Sequence, residues 1–316
     1  MVSMSDITAA RAVIGDRLHR TPTFSATSLG AMAHVQLWVK AELLQKTGSF
    51  KPRGVLTKLA TLTAEERARG VIAISAGNHA QAVAYAATRE GIPCTVVMPA
   101  TAARSKVMAA RAYGARIVQH GETSIEAFAE YERLLAAEGQ VPVHPFADPT
   151  VIAGQGTVGL ELLEDVPDLE AVIVPVGGGG LLAGVAVALK EQRPQLRVIG
   201  VEPAGAPGLT RALATGHVVP LETVHTIADG LAAPFASDVT LEIAQRYVDD
   251  VALVSDEEIV QALIVVLERT KLQVEPAGAA GVAALLAGRC RLREGARVVA
   301  ILSGGNVDRS RLKEML

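Results

Sequence analysis

The sequence predicts an α/β fold with two open lobes of parallel sheet, and three observations predict it. Half of the 316 residues are hydrophobic but only 3% are aromatic, so the core is built from Ala, Val, Leu and Ile, a composition suited to layered helices and strands. Short apolar runs bounded by turn residues alternate with helix-length amphipathic segments, as in parallel βαβ units. The alternation comes in two separate series, which implies two lobes with a ligand cleft between them.

Residues 7–18 read as an amphipathic helix, after which Arg20-Thr21-Pro22 turns the chain into a loop. Residues 34–40 alternate enough to form a strand. From Gly70 the first series is regular, with strands at 71–75, Cys94–Met98, 115–119 and 141–144, and helices at 78–90, 103–113 and 124–137. The second series opens after Gly154-Gln155-Gly156. Its strands are 171–176, 197–202, 251–254 and 298–302, and its helices are 181–190, 241–248, 259–271 and 277–286. No internal repeat, low-complexity tract or long linker intervenes, so the lobes are expected to be tightly joined.

Charge and composition exclude several function classes. A net charge of −3 and a pI near 6.2 leave no basic footprint for nucleic acid. Cys94 and Cys290 sit far apart in apolar segments without CxxC spacing, as expected of buried, reduced thiols. The N-terminal residues lack a signal-peptide core. Residues 171–189 carry no charge, but Pro175 and four consecutive glycines within them predict a strand, turn and helix instead of a membrane span. The expectation is a soluble cytoplasmic protein with no membrane partner.

Four stretches carry chemistry. In Lys46-Thr47-Gly48-Ser49-Phe50-Lys51-Pro52-Arg53-Gly54, Lys51 precedes a helix-like run containing Val55, Leu56 and Leu59. A cation there opposes the positive end of the helix dipole, so the site favours a neutral amine, which is a nucleophile toward aldehydes. Phe50 offers a ring face to a flat ligand. The second stretch, Val174-Pro175-Val176-Gly177-Gly178-Gly179-Gly180-Leu181, is a strand, a glycine turn and a helix start, an arrangement that closes backbone N–H groups around an anion such as phosphate. A P-loop would need Gly-Lys-Ser/Thr after the glycines and is excluded. A dinucleotide site remains open, since Gly178-x-Gly180-x-x-Ala183 fits its loose pattern and Glu202 ends the next strand. The third stretch, Ser75-Ala76-Gly77-Asn78-His79, follows a strand and places Asn78 near a helix N-cap, where backbone donors can hold a carboxylate. The fourth is Ser303-Gly304-Gly305-Asn306, whose serine hydroxyl can face the cleft.

Together these stretches closely resemble the pyridoxal-phosphate enzymes of the threonine dehydratase and serine racemase family, of fold type II. The resemblance extends to Arg20-Thr21-Pro22, His144-Pro145, Val151-Ile152-Ala153-Gly154-Gln155-Gly156-Thr157, Ala228-Asp229-Gly230 and Val274-Glu275-Pro276. It implies that Lys51 forms the Schiff base with the cofactor pyridoxal 5'-phosphate and that Phe50 packs on its ring. It further implies that Gly177, Gly178, Gly179, Gly180 and Leu181 hold the phosphate, that Asn78 bonds the ring hydroxyl oxygen and that Ser303 faces the ring nitrogen. By the same resemblance, Ser75, Ala76, Gly77, Asn78 and His79 hold the substrate carboxylate, and Glu275 lies near the cofactor. The dinucleotide reading then falls, because Val201-Glu202-Pro203 is also a family stretch. No metal is expected, since Gly208 stands where metal-binding relatives of this glutamate place a carboxylate.

The larger, cofactor-binding unit is expected at residues 1–60 and 149–316 and the smaller one at 61–148. The chain ends ten residues after Asn306, so the short catabolic form, without a C-terminal regulatory domain, is expected. The implied activity is elimination of water from L-threonine or L-serine, in a homodimer or homotetramer. Alternatives are a serine racemase, a dehydratase of another 3-hydroxyamino acid such as 3-hydroxyaspartate and, more remotely, a non-catalytic sensor of the cofactor or of amino acids.

Overall fold

The computed structural model describes residues 2–316, which form ten strands. They are β1 (Thr23–Ser25), β2 (Gln36–Lys40), β3 (Val71–Ile74), β4 (Cys94–Met98), β5 (Arg116–Gln119), β6 (Val141–Pro142), β7 (Ala171–Pro175), β8 (Arg197–Pro203), β9 (Asp250–Val254) and β10 (Arg297–Ile301). One sheet runs β1-β2-β10-β7-β8-β9 and the other β5-β4-β3-β6. All pairings are parallel except that of β1, which lies antiparallel along β2. This edge strand is absent from the predicted set because three residues are too few to show alternation.

The parallel register positions the chemistry. In the larger sheet Val299 of β10 aligns with Trp38 of β2 and Val172 of β7, so the C-terminal ends of β7 and β10 lie side by side. The glycine run leaves one of these ends and Ser303 the other. Alternate residues of β7 feed opposite faces, Val172 and Val174 into one core and Ala171 and Ile173 into another. A third core packs Val71, Ala73 and Val96 on one side of the smaller sheet, whose β3 delivers Ser75.

The predicted elements form with ends displaced by a few residues. The first helix spans Met4–Ile14, opened by a reciprocal Ser3–Asp6 capping box, and β6 is only two residues long. The uncharged stretch becomes β7 followed by the helix Gly180–Lys190, and among the described residues no helix is long and apolar enough to cross a membrane. Both cysteines are buried and free.

One long helix, Pro149–Asp165, is missing from the prediction, which opens the second series only after Gly154-Gln155-Gly156, glycines that weaken a helical pattern. Its glycines instead permit close packing. A Cβ at Gly154 would come within 2.5 Å of the Arg53 carbonyl, and one on Gly184 of the neighbouring helix would overlap the Ile152 carbonyl. This helix brings Glu161 to Arg53, which is 1% exposed and also bonded to Glu42 at 2.9 and 2.8 Å. A guanidinium can be buried only with such partners, and the pairing fixes the first turn of the helix Pro52–Ala60, directly after Lys51.

Candidate active site

The segments around Lys51 and Ser303 are stapled together. Phe50 N donates to the Ser303 carbonyl (3.1 Å), Gly305 N to the Gly48 carbonyl (3.0 Å) and Asn306 Nδ2 to the Thr47 carbonyl (2.7 Å). Lys51 caps the helix Pro52–Ala60, and its Nζ donates to the Pro145 carbonyl at 2.9 Å while lying 5.1 Å from the Phe50 ring centroid. Burial pushes this amine down to about 8, with the nearby Glu275 carboxylate acting in the opposite direction. Burial, rather than the helix dipole, is therefore the chief cause of the lowered basicity, and it leaves the amine far easier to deprotonate than an exposed lysine.

Across the cleft, Gly77 rather than Asn78 is the N-cap of the helix Asn78–Arg89. The Asn78 side chain, next to the cap, is therefore free of capping. Its Nδ2 donates to Glu275 Oε1 at 2.7 Å, and its Oδ1 accepts from Asn306 Nδ2 at 2.8 Å. An amide has two N–H donors, so one remains for a ligand. Glu275 is buried, which raises its carboxyl to about 7 against the pull of Asn78 and Lys106. His79 pairs its Nε2 with the Val143 carbonyl at 2.8 Å, which makes Nε2 the protonated nitrogen, and burial holds the ring neutral, its pKa pushed down to about 3. Ser75 Oγ accepts from Gly77 N at 3.2 Å and holds the turn.

The glycine run leaves β7 and enters the helix Gly180–Lys190 through Gly179, whose φ of +88° suits glycine. The first N–H groups of that helix have no partner within it, and Gly180 and Leu181 line the cleft. The Phe146 ring lies directly on Gly178, so that a Cβ there would overlap it. His144 braces this turn, accepting from Ala147 N at 2.9 Å, and its ring meets Phe146 edge-on at 4.7 Å.

A cleft of about 560 Å³ is lined by Lys51, Phe50, residues 75–79, residues 177–181, Glu275 and Ser303, so every site residue named from the sequence meets there. Sequence reasoning missed Lys106, Asp229, Asn306 and Arg311 at the same cleft. Asp229 and Asn306 lie inside stretches that carried the resemblance, whereas no motif marks Lys106 or Arg311. In the structure both reach Asp229, at 2.9 and 2.7 Å.

Glu202 lies elsewhere. Its carboxylate accepts from Leu209 N (2.7 Å), Thr210 N (2.9 Å) and Thr210 Oγ1 (2.6 Å), and so caps the helix Gly208–Thr215. Among the described residues no group of three His, Cys, Asp or Glu could hold a metal ion.

Comparison with known families matches residues 14–304 to the model described as "Pyridoxal-phosphate dependent enzyme". The chain belongs to this family. It is 45% identical to an L-threonine ammonia-lyase of Thermotoga maritima over 98% of the chain and 76% of that protein. It is 40% identical to a catabolic L-threonine dehydratase of Escherichia coli K12 over 99% of the chain and 96% of that protein. The solved structure of maize serine racemase superposes with a TM-score of 0.95 at 40% identity, covering 99% of this chain and 96% of the racemase.

The chemistry of the cleft fits the family's cofactor. Pyridoxal phosphate has an aldehyde, a phosphate, a ring oxygen and a ring nitrogen. The cleft sets against them a buried amine, a glycine turn opening a helix, an amide with a spare donor and a buried hydroxyl.

Proposed function

We propose that this pyridoxal-phosphate enzyme eliminates water from L-threonine and L-serine, releasing 2-oxobutanoate or pyruvate with ammonia. The observation that carries the reading is a cleft with a positioned amine at Lys51 and a methyl group at residue 76, where a racemase would need a second proton donor. The names of the Thermotoga and E. coli relatives support it.

When bound, the cofactor supplies an aldehyde that condenses with amines and a ring that takes up the electrons of a breaking Cα bond. The protein's residues divide the remaining work. Gly177, Gly178, Gly179, Gly180 and the Leu181 end of the helix hold the phosphate, Phe50 packs on the ring, and Asn78 uses its spare N–H on the ring oxygen. Backbone N–H groups at residues 75–79 orient the substrate carboxylate. Lys51, whose Nζ meets the Pro145 carbonyl, would carry the cofactor and, once the substrate's amine takes its place there, remove the Cα proton as a general base. Ser303 gives the ring nitrogen a neutral partner, and a hydroxyl cannot hold that nitrogen protonated as a carboxylate would. Prompt loss of the β-hydroxyl is then favoured over longer-lived electron storage. Glu275 fixes the Asn78 amide.

We take residues 61–148 as the smaller unit, closing on the larger unit of 1–60 with 149–316, in a cytoplasmic homodimer or homotetramer. Limited proteolysis and sedimentation test the division and the assembly.

The second reading is a serine racemase, favoured by the similarity to the maize enzyme. Elimination needs one base, whereas racemisation also needs an acid on the opposite face of the ring. Ala76→Ser is therefore expected to raise D-serine formation by about tenfold or more, as a positioned acid would. Chiral chromatography of L-serine incubations checks this. D-serine accumulating from the unmodified enzyme as fast as pyruvate would refute the lyase reading.

A further inference from the structure

A second depression, of about 690 Å³, lies where β7, β8 and β10 begin, at the opposite end of these strands from the cleft. Five residues of β7 separate it from the glycine run, about 17 Å at the usual strand rise. Arg193, Arg197, Arg293 and Arg297 line it against two carboxylates, Asp168 and Glu170, leaving an excess of two positive charges.

The carboxylates do not satisfy the arginines. Glu170 is occupied by Arg293 Nη2, at 2.6 and 2.7 Å, and by the backbone N–H of Arg297 at 2.8 Å. Asp168 is 76% exposed and reaches Arg297 Nη1 at 3.3 Å. Arg193 donates to the Pro167 carbonyl and Arg197 to the Arg291 carbonyl, and among the described residues neither has a carboxylate partner. The Nε of Arg297 is buried and makes no hydrogen bond among the described residues, with Glu170 Oε2 3.5 Å away. Beneath the charges lie the buried side chains of Leu169, Leu196 and Ala296, which limit water on that side.

We propose that this depression binds a phosphate-bearing small molecule at a site separate from the cleft. Guanidinium forks match tetrahedral oxyanions in paired hydrogen bonds, and two unbalanced positive charges match the charge of about −1.5 to −2 that a phosphate monoester carries near neutral pH. The inference is independent of the reaction run in the cleft.

Calorimetric titration of the cofactor-loaded enzyme tests it, since the glycine run is then filled. The probes are inorganic phosphate and glycerol 3-phosphate at fixed ionic strength. Saturable binding is expected, weakened at least about tenfold by the double variant Arg193→Gln/Arg197→Gln with turnover of L-threonine unchanged. Asp168→Asn should instead tighten binding, because it removes a competing negative charge. Stronger binding of the ester assigns the site to phosphate esters, and equal binding to free phosphate. Titrations that fail to saturate, an affinity unmoved in the double variant, or an Asp168→Asn variant that binds no more tightly would overturn the proposal.

Discussion

Lys51→Ala is expected to lower release of 2-oxobutanoate from L-threonine by at least about 10³-fold while leaving the fold intact. The substitution removes both the amine that captures the cofactor aldehyde and the base for the Cα proton. It costs the fold little, because the Nζ makes one hydrogen bond, to a carbonyl, and the first turn of the helix Pro52–Ala60 is pinned separately by Arg53 on Glu42 and Glu161. Keto-acid assays alongside circular dichroism check both halves. Turnover within about tenfold of the unmodified enzyme would show that another group is the base.

Gly178→Val is expected to weaken cofactor binding by about tenfold or more. From the sequence alone the reason would be bulk where backbone must approach phosphate, and the structure adds a nearer obstacle. A Cβ at Gly178 overlaps the Phe146 ring, itself wedged edge-on between His144 and Phe235 at centroid distances of 4.7 and 5.8 Å. The ring and the glycine turn must then separate, and overpacking of this kind typically costs about 1–3 kcal/mol. Because the turn is the proposed phosphate cradle, the distortion should appear as lost affinity in a cofactor titration, beyond any fall in melting temperature. Unchanged affinity would place the phosphate elsewhere.

The order of strands and helices was legible because buried parallel strands are short apolar runs and their helices repeat at helical spacing. Most of the residues that meet in the cleft were legible because residues 75–79, residues 177–181 and Ser303 follow strands into turns whose backbone chemistry is local, while Lys51 and Glu275 stand directly before helices. Elements that depend on distant partners were not. The helix Pro149–Asp165 hides behind glycines whose purpose is contact with Gly54 and Gly184, far away in sequence. Strand β1 is defined by its pairing with β2. The Glu275–Asn78–Asn306 chain and the burial of Arg53 join residues from opposite parts of the fold, so their hydrogen bonds leave no periodic trace. Asn78 stands near the N-cap as expected, but only the fold shows that Gly77 is the cap itself and that the Asn78 amide serves the cleft instead of the helix.

Borohydride reduction of the cofactor-loaded enzyme, followed by peptide mapping, tests the central claim most directly, because it reports which lysine holds the cofactor. Lys40 is tied to Glu161 at 2.7 Å, Lys58 to Asp148 at 2.7 Å and Lys106 to Asp229 at 2.9 Å, so each is engaged by a carboxylate. Lys51 is bonded to a carbonyl, and burial brings it down to about 8. The account predicts the reduced label on Lys51. A label on Lys40, Lys46 or Lys58, with Lys51 unmodified, would contradict it.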